Sequence, residues 1–286
     1  MAQLFDEARG LDIDEVCLDL SFFQISFLSL LQGLTEFLPI SSSGHLILPS
    51  ELFGWQDQGL IFDVAVHVGS LIAVVLYFYV QLLELLIGFV RSLIKREQTE
   101  ASKLAWLLIL ATIPVGIAGF ILNDVVELYS RSMLVIAISS IFFSLLLYFS
   151  DKPKPVTLAV HELTWKAGLL IGIAQLFALI PGTSRSGITM TAALYCNLSR
   201  DAAARFSFLL AVPVITASGL LKSVELYTAD TSGSQWLMLL YAASLAALVA
   251  FACIHFFLKL IERIGFLPFV IYRLCLGGLL LVIYFF

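Results

Sequence analysis

The sequence predicts an all-α polytopic membrane protein, with about six transmembrane helices and two re-entrant helix hairpins related by an inverted-topology repeat. Three observations lead to this fold class. Of the 286 residues, 60% are hydrophobic and 13% are charged, about half the roughly 25% charged residues of soluble domains. Apolar stretches long enough to cross a bilayer recur along the chain. Two further apolar tracts are interrupted near the middle by Pro, Gly and Ser residues, and their sequences resemble each other.

The composition also excludes several classes of protein. A mean hydropathy of +0.99 excludes both a soluble globule and an intrinsically disordered chain. The net charge of -5 provides no basic surface, so we expect no nucleic-acid partner. No Gly-rich loop of a nucleotide-binding type is present. The partner that the composition does predict is the lipid bilayer.

The first twenty residues precede the apolar segments. They contain six acidic residues and a single basic residue, Arg9. A secretory signal peptide begins with the opposite charge. We therefore expect a short amphipathic or irregular lead-in.

Residues 21–50 form the first interrupted tract, with the sequence QGLTEFLPISSSG at residues 32–44. Gln32 and Glu36 are four residues apart, so they share one face of a helix. We expect Pro39 to end that helix and the serine turn to lead to His45. A broken helix at membrane depth is tolerated only where protein or water satisfies the freed backbone groups. This tract is therefore a candidate functional site.

Ordinary spanning helices are predicted where about twenty residues carry almost no charge. These stretches are residues 64–83, 104–122, 133–150, 206–221, 231–258 and 266–286. Arg273 lies inside the last of them. We expect Arg273 either to join an internal ion pair or to extend its charged end toward the interface.

Residues 167–197 form the second interrupted tract, with the sequence QLFALIPGTSRSG at residues 175–187. It begins 143 residues after its counterpart (175 − 32), and 143 is half of 286. The repeat predicts a single membrane domain, residues 1–286, made of two inverted halves, 1–143 and 144–286, with a site between them. The alternative is a chance match between two tracts rich in Ser and Gly.

Lys and Arg residues predict the orientation. They concentrate in residues 91–103 and 151–166 and at Lys259 and Arg263, and such loops lie on the cytoplasmic side. The first tract then enters from the external side and the second from the inside, so the two hairpins are inverted relative to each other.

Glu36 and Arg185 are the charged residues of the two hairpins. A charge at membrane depth costs about 2.5–3.5 kcal/mol on insertion scales, so each needs a partner, a cavity or a ligand. Arg185 has a planar fork of donors suited to phosphate oxygens. Glu36 is suited to a divalent cation, and His45 to proton transfer. These residues predict phosphoryl chemistry on a membrane substrate, and a purely structural ion pair is the alternative.

The other histidines give weaker signals. We expect His67, His161 and His255 to be packing, loop or interface residues rather than catalysts. Of the three, His67 lies on the span that follows the first hairpin.

At these residues the chain resembles the bacterial undecaprenyl-diphosphate phosphatases of the bacitracin-resistance type. The matching segments are QGLTEFLPISSSGH at residues 32–45 and PGTSRSGIT at residues 181–189, with weaker similarity after Phe62 and Ala111. The resemblance implies hydrolysis of undecaprenyl diphosphate to undecaprenyl phosphate and inorganic phosphate, which recycles the lipid carrier for cell-wall polymers. It also implies Mg2+ or Ca2+ as cofactor and a homodimer. The implied location is the cytoplasmic (inner) membrane, with the active site open to the external, periplasmic side.

The resemblance also implies roles for individual residues. The catalytic positions are Glu36, Ser42, His45 and Arg185, with Ser42 as the candidate nucleophile and Glu36 also as the metal ligand. Residues expected to bind the substrate are Gln32, Ser41, Ser43, Gly182, Thr183, Ser184, Ser186 and Thr189. The family motif allows Glu or Gln at the position of Gln32, and here no second carboxylate is supplied.

Two alternative functions remain at this level. Inverted repeats with broken helices also occur in transporters, so a transporter or flippase of polyprenyl phosphate would have a similar sequence. A second class of membrane lipid phosphatases shares a Ser-Gly-His element. That class requires a His soon after its Arg, whereas the first His after Arg185 is His255.

Overall fold

The computed structural model describes residues 20–129, 131–152, 157–227 and 233–286. Within these ranges the chain is almost entirely helical, and the only β-type pairing is an isolated bridge between Leu158 and Leu198. The lead-in predicted for the first twenty residues lies outside the described residues, apart from Leu20. The helices are α1 (Phe22–Thr35), α2 (Ser42–Leu46), α3 (Leu48–Phe53), α4 (Gly59–Tyr77), α5 (Tyr79–Ile94), α6 (Glu100–Ile121), α7 (Asn123–Tyr129), α8 (Met133–Ser150), α9 (Trp165–Ala174), α10 (Arg185–Tyr195), α11 (Arg200–Tyr227), α12 (Gly233–Ile264) and α13 (Leu267–Phe285).

Six helices in the described part of the chain are long and apolar enough to cross a membrane: α4, α6, α8, α11, α12 and α13. This confirms the predicted number of spans and the all-α fold class. The protein is therefore a multi-pass membrane protein.

The boundaries of the first predicted span were wrong. Residues 64–83 were expected to form one helix, but α4 ends at Tyr77 and α5 begins at Tyr79. Phe78 joins them with φ -104° and ψ 20°, outside the helical range. Both helices are apolar, so a search for uncharged stretches does not detect the break.

Both interrupted tracts are broken helices, as predicted. In the first, α1 begins at Phe22, is capped by Ser21 through a capping box with Gln24, and ends at Thr35. The helix thus ends one turn before Pro39 rather than at it. In the second, α9 continues into a 3-10 turn, Gln175–Leu179, before the chain turns into α10.

The turns of the two tracts have the same local structure, 143 residues apart. Ser41 and Ser184 both have positive φ, 74° and 69°. Each caps the following helix by accepting a hydrogen bond, Ser41 from the Gly44 amide and Ser184 from the Gly187 amide. This correspondence is compatible with an inverted repeat, which stays a prediction.

The long helix α12, 32 residues, packs against α1 and α4 and holds the first hairpin in place. Helix α10 of the second hairpin packs against α8 and α11, and α8 packs against α13. The main hydrophobic core includes Phe37 from the first hairpin and Phe206 and Phe208 from α11. The two hairpin turns are thereby buried inside the bundle.

The loops predicted to be cytoplasmic lie together at one end of the molecule. Lys103 donates to the His161 carbonyl at 3.3 Å, which joins the first two loops. Asp151 accepts from Arg200 at 2.6 and 3.0 Å and from the Phe266 amide at 2.9 Å. The Phe266 contact places the connection between α12 and α13 at the same end of the molecule. This connection follows Lys259 and Arg263.

Candidate active site

Glu36 and Arg185 join the two hairpins. A guanidinium nitrogen of Arg185 donates to Glu36 Oε1 at 2.9 Å. Glu36 is 8% exposed, and the Arg185 side chain is 12% exposed. The contact between the two charges that the sequence predicted is therefore present.

The second oxygen of Glu36 accepts from two side chains of its own hairpin. Ser42 donates to Glu36 Oε2 at 2.8 Å, and Gln32 Nε2 donates to the same oxygen at 3.1 Å. The Gln32 bond confirms that Gln32 and Glu36 share a helical face. The Ser42 bond directs the hydroxyl proton toward a carboxylate, as an activated nucleophile requires.

His67 of α4 also lies beside Glu36, with its Nε2 at 3.6 Å from Oε2. His67 was expected to be a packing, loop or interface residue, and the structure places its ring beside Glu36. His67 Nδ1 lies 2.6 Å from the Asp63 carbonyl, which can only accept, so Nδ1 carries a proton. The Nε2 atom is then the ring nitrogen directed at the carboxylate. The available signal was the position of His67 on the helix after the first hairpin, one turn beyond Asp63.

His45 occupies a different part of the site. Its Nδ1 donates to the Ser41 carbonyl at 2.7 Å, and its Nε2 lies 2.7 Å from the Tyr272 hydroxyl. The rings of His45 and Tyr272 are also stacked, with centroids 5.5 Å apart. Both ring nitrogens thus have partners other than Glu36 and Arg185. The imidazole that was expected next to the acid is supplied by His67 instead.

The predicted hydroxyl residues form two similar sets. The hydroxyl oxygens of Ser41 and Ser43 are 3.1 Å apart in the first turn. Those of Ser184 and Ser186 are 3.2 Å apart in the second. Ser186 also donates to the Leu38 carbonyl at 2.9 Å, which is a direct bond between the two turns. The hairpins therefore meet at their turns.

Helix α11 supports the second hairpin. Thr189 lies 2.7 Å from the Ser207 hydroxyl, and Arg185 donates to the Ser207 carbonyl at 3.1 Å. The Arg185 guanidinium also lies 5.9 Å from the centre of the Phe37 ring. These contacts fix the direction of the guanidinium. Ser207 therefore supports Arg185 from α11, and Thr189 of α10 bonds to the Ser207 hydroxyl.

Gly182 and Thr183 form the tightest part of the second turn. Gly182 has φ 86° and lies against Ser139 and the Ile136 backbone, so a side chain would both strain the backbone and collide. Thr183 is fully buried, and its hydroxyl has no hydrogen-bond partner in the described part of the chain.

Arg273 was expected in an ion pair or near the interface, and both expectations were wrong. The residue is fully buried. Its guanidinium donates to the Gly182 carbonyl at 3.0 Å and to the Thr183 carbonyl at 2.9 Å. Backbone carbonyls of a turn are thus the partners that the sequence could not indicate.

The donors around Glu36 fit a divalent cation only in part. Among the described residues, no group of three His, Cys, Asp or Glu side chains could hold a metal. Gln32 Oε1 is, however, buried without a hydrogen-bond partner and belongs to the side chain beside Glu36. A carboxylate and an amide oxygen are ligands that Mg2+ and Ca2+ accept, and Mg2+ usually takes the rest from water and substrate phosphates.

Known proteins are similar to this chain over most of its length. The sequence model of the family described as bacitracin resistance protein BacA matches residues 25–279. An undecaprenyl-diphosphatase of Hahella chejuensis (strain KCTC 2396) is 54% identical over 263 residues, covering 92% of this chain and 98% of the relative. An undecaprenyl-diphosphatase of Aliivibrio salmonicida (strain LFI1238) is 53% identical over 262 residues, with the same coverage. Undecaprenyl-diphosphatase 1 of Pseudoalteromonas translucida (strain TAC 125) is 53% identical over 263 residues, again with that coverage.

Proposed function

The chain belongs to the bacitracin resistance protein BacA family, and we infer that it hydrolyses undecaprenyl diphosphate to undecaprenyl phosphate and inorganic phosphate. It is thus a phosphatase that recycles the lipid carrier for cell-wall polymer synthesis. The observation that carries the inference is the buried contact between Glu36 and Arg185, with Ser42 bonded to the same carboxylate.

Ser42 is the nucleophile in this proposal. Its Oγ bonds to the terminal phosphorus, and the bond from that phosphorus to the bridging oxygen breaks. Undecaprenyl phosphate leaves with the bonding electron pair. Water then attacks the phosphoserine, the bond between phosphorus and Oγ breaks, and inorganic phosphate leaves. The 2.8 Å bond from Ser42 to Glu36 supports this role, since Glu36 can take the hydroxyl proton and later return it.

Arg185 binds the diphosphate. Arg185 is the first residue of α10, and the N-terminus of a helix favours an anion. Ser184 and Ser186 supply hydroxyls in the same turn. In the structure Arg185 is held by Glu36 and Ser207. The arriving phosphate oxygens take the place of part of these contacts. The remaining predicted residues, Ser41 and Ser43, add hydroxyls from the first turn.

Mg2+ or Ca2+ is proposed as the cofactor. Glu36 and the unpartnered Gln32 Oε1 would hold it, together with oxygens of the substrate and water. When bound, such a cation neutralises negative charge on the diphosphate. Gln32 thus has a role in this chain even though it is not a second carboxylate.

His67 is the residue that we add to the catalytic set. Its Nε2 faces the Glu36 oxygen that receives the Ser42 proton. In this position it can stabilise the carboxylate or relay the proton to solvent, because its side chain is 37% exposed. His45, the other candidate, supports the serine turn through the Ser41 carbonyl.

We also propose that the protein lies in the cytoplasmic membrane and that its site opens to the external side. The clustering of the basic loops at one end supports this orientation. A homodimer is proposed from family membership alone.

Phosphate release by the detergent-purified protein tests the proposed reaction. In detergent no membrane separates two compartments, so lipid transport cannot be mistaken for the reaction. A flippase without phosphatase activity would release no phosphate from undecaprenyl diphosphate. The Ser42→Ala variant is expected to lose activity by about 100-fold or more. Ser244→Ala is the control, because Ser244 is exposed on α12 and bonds only within its own helix turn. Wild-type release that persists in Ser42→Ala would favour direct attack by water.

A further inference from the structure

Two consecutive residues of the last helix, Tyr272 and Arg273, contact the turns of both hairpins. The Tyr272 hydroxyl lies 2.7 Å from His45 Nε2 in the first hairpin. Arg273 donates to the Gly182 and Thr183 carbonyls in the second. Helix α13 belongs to neither hairpin, so it is an external support for both turns.

The single side chain of Arg273 also contacts both hairpins. Besides its bonds to the second turn, its Nη1 lies 3.5 Å from the Pro39 carbonyl of the first turn. Its Nε lies 3.5 Å from the Ser140 hydroxyl on α8. A guanidinium is planar and rigid, so one side chain fixes the separation of the groups that it bonds.

The bonded carbonyls lie close in sequence to the catalytic groups. Gly182 and Thr183 precede Ser184, the residue that caps α10, and Arg185 follows directly. Pro39 lies three residues after Glu36. A change in the bonds of Arg273 would therefore move the start of α10 relative to the end of α1, and with it the contact between Arg185 and Glu36.

Burial of a cation at this position is costly unless its donors are satisfied. Arg273 is fully buried and lies on the membrane-spanning helix α13. Its four hydrogen-bonded partners are carbonyl and hydroxyl groups rather than a carboxylate. An arginine used only to fill space would be replaceable by an apolar residue at lower cost. The hydrogen bonds of the buried fork of donors therefore point to a specific task.

We propose that Arg273 is a positioning residue for the phosphatase reaction, which holds the two hairpin turns at the separation where Arg185 meets Glu36. The inference rests on the proposed function, because it concerns the geometry of that same site. Arg273 acts through Arg185 and does not touch the substrate. Tyr272 gives secondary support through His45.

A double-substitution experiment tests the proposal. The rate of phosphate release from undecaprenyl diphosphate is measured for the wild type, Arg273→Gln, Arg185→Gln and the protein with both changes. Arg185→Gln is expected to lower kcat/KM by about 100-fold or more in the wild-type background. Arg273→Gln is expected to lower it by about 100-fold, because a displacement of about 1 Å at a reacting group has that effect.

The distinguishing result is the effect of Arg185→Gln in the Arg273→Gln background. If Arg273 acts by positioning Arg185, the second change costs less than about fivefold there, since residues that act as a unit are not additive. A purely structural role would lower the yield or the melting temperature but leave the full Arg185 effect intact. The matched control is Arg263→Gln, at the exposed end of α12, which is expected to keep the wild-type rate.

Arg273→Lys distinguishes the effect of the donor geometry from the effect of the positive charge. It also provides a second variant in case Arg273→Gln folds poorly. Lys keeps the positive charge but lacks the planar fork, so a positioning role predicts that Lys fails as Gln does. Wild-type activity in Arg273→Lys, or losses that multiply in the double variant, would overturn the proposal. It would also be overturned if neither variant could be recovered folded. If the wild type itself released no phosphate, the proposed function would be wrong instead.

Discussion

Glu36 organises the site at the scale of single residues. One of its oxygens accepts from Arg185, while the other accepts from Ser42 and Gln32 and faces His67. The guanidinium thus compensates the buried charge through one oxygen, and the other remains available to receive a proton. A neutral amide at this position could not perform both tasks.

Substitution of His67 tests the proposal that this residue takes part in catalysis. His67→Gln is expected to lower kcat for phosphate release by about 10- to 100-fold, because an amide cannot take up and pass on a proton. The matched control is His161→Gln, since His161 is exposed on the loop before α9 and only its carbonyl is bonded.

The expected result is a loss in His67→Gln with normal folding and an unchanged rate in His161→Gln. Equal rates in the two variants would return His67 to the role of a packing residue.

Contacts within one hairpin and the pairing of the two hairpin charges could be predicted from the sequence, whereas contacts with the other helices could not. Gln32 and Glu36 are four residues apart on one helix, and the charge of Arg185 required a partner in the membrane. The choice between His45 and His67 depends on how α4 packs beside the first hairpin. Two carbonyl partners of Arg273, those of Gly182 and Thr183, lie 91 and 90 residues earlier in the chain. No local pattern indicates either arrangement.

At the scale of helices, close packing against α12 holds the first hairpin and α4. A Cβ added at Gly33 would collide with the Ala246 carbonyl, and one added at Gly69 would collide with the Ala243 carbonyl. In a bilayer, helix association depends on such close approach of small residues, because lipid provides no hydrophobic driving force.

Gly69→Ala is expected to destabilise the protein by about 1–3 kcal/mol, since α4 and α12 would have to move apart. The melting temperature in detergent measures the effect. Gly116→Ala on α6 is the matched control, because a Cβ there would meet nothing within 4 Å.

We expect the Gly116→Ala protein to melt at the wild-type temperature or slightly above it, as Ala favours a helix over Gly. A Gly69→Ala protein as stable as the wild type would show that the backbones of α4 and α12 are not held in close contact.

Helix number and type could be predicted better than helix ends. Uncharged stretches identified the six spans, and the Pro, Gly and Ser clusters identified both broken helices. The break at Phe78 was missed because apolar residues continue on both sides of it. The end of α1 at Thr35 was missed because the chain leaves the helix before Pro39 forces it to do so.

For the whole molecule, the basic loops at one end predict the orientation in the membrane. Single cysteines are introduced at Gln98, between α5 and α6, and at Gln56, between α3 and α4, in a protein whose four native cysteines are replaced. A membrane-impermeant maleimide added to spheroplasts is expected to label the cysteine at 56. The cysteine at 98 should react only after permeabilisation, because its loop carries the positive charges. Labelling of 98 from outside would reverse the proposed orientation.

Removal of divalent cations tests the proposed cofactor. A chelator is expected to lower phosphate release by more than about tenfold, and Mg2+ or Ca2+ should restore it. Gln32→Glu adds a carboxylate beside Glu36, so this variant should reach half its maximal rate at a lower cation concentration. An unchanged rate in the presence of the chelator would mean that the residues of the chain suffice without a cation.

The contact between the hairpins is tested most directly by the rates of phosphate release of four purified proteins: the wild type, Glu36→Gln, Arg185→Gln and the double variant. Each single change is expected to reduce kcat/KM by about 100-fold or more. The double variant should be less than about tenfold slower than the slower single variant, because the two residues act as one unit. Losses that multiplied, or a single variant with the wild-type rate, would contradict a shared site between the two turns.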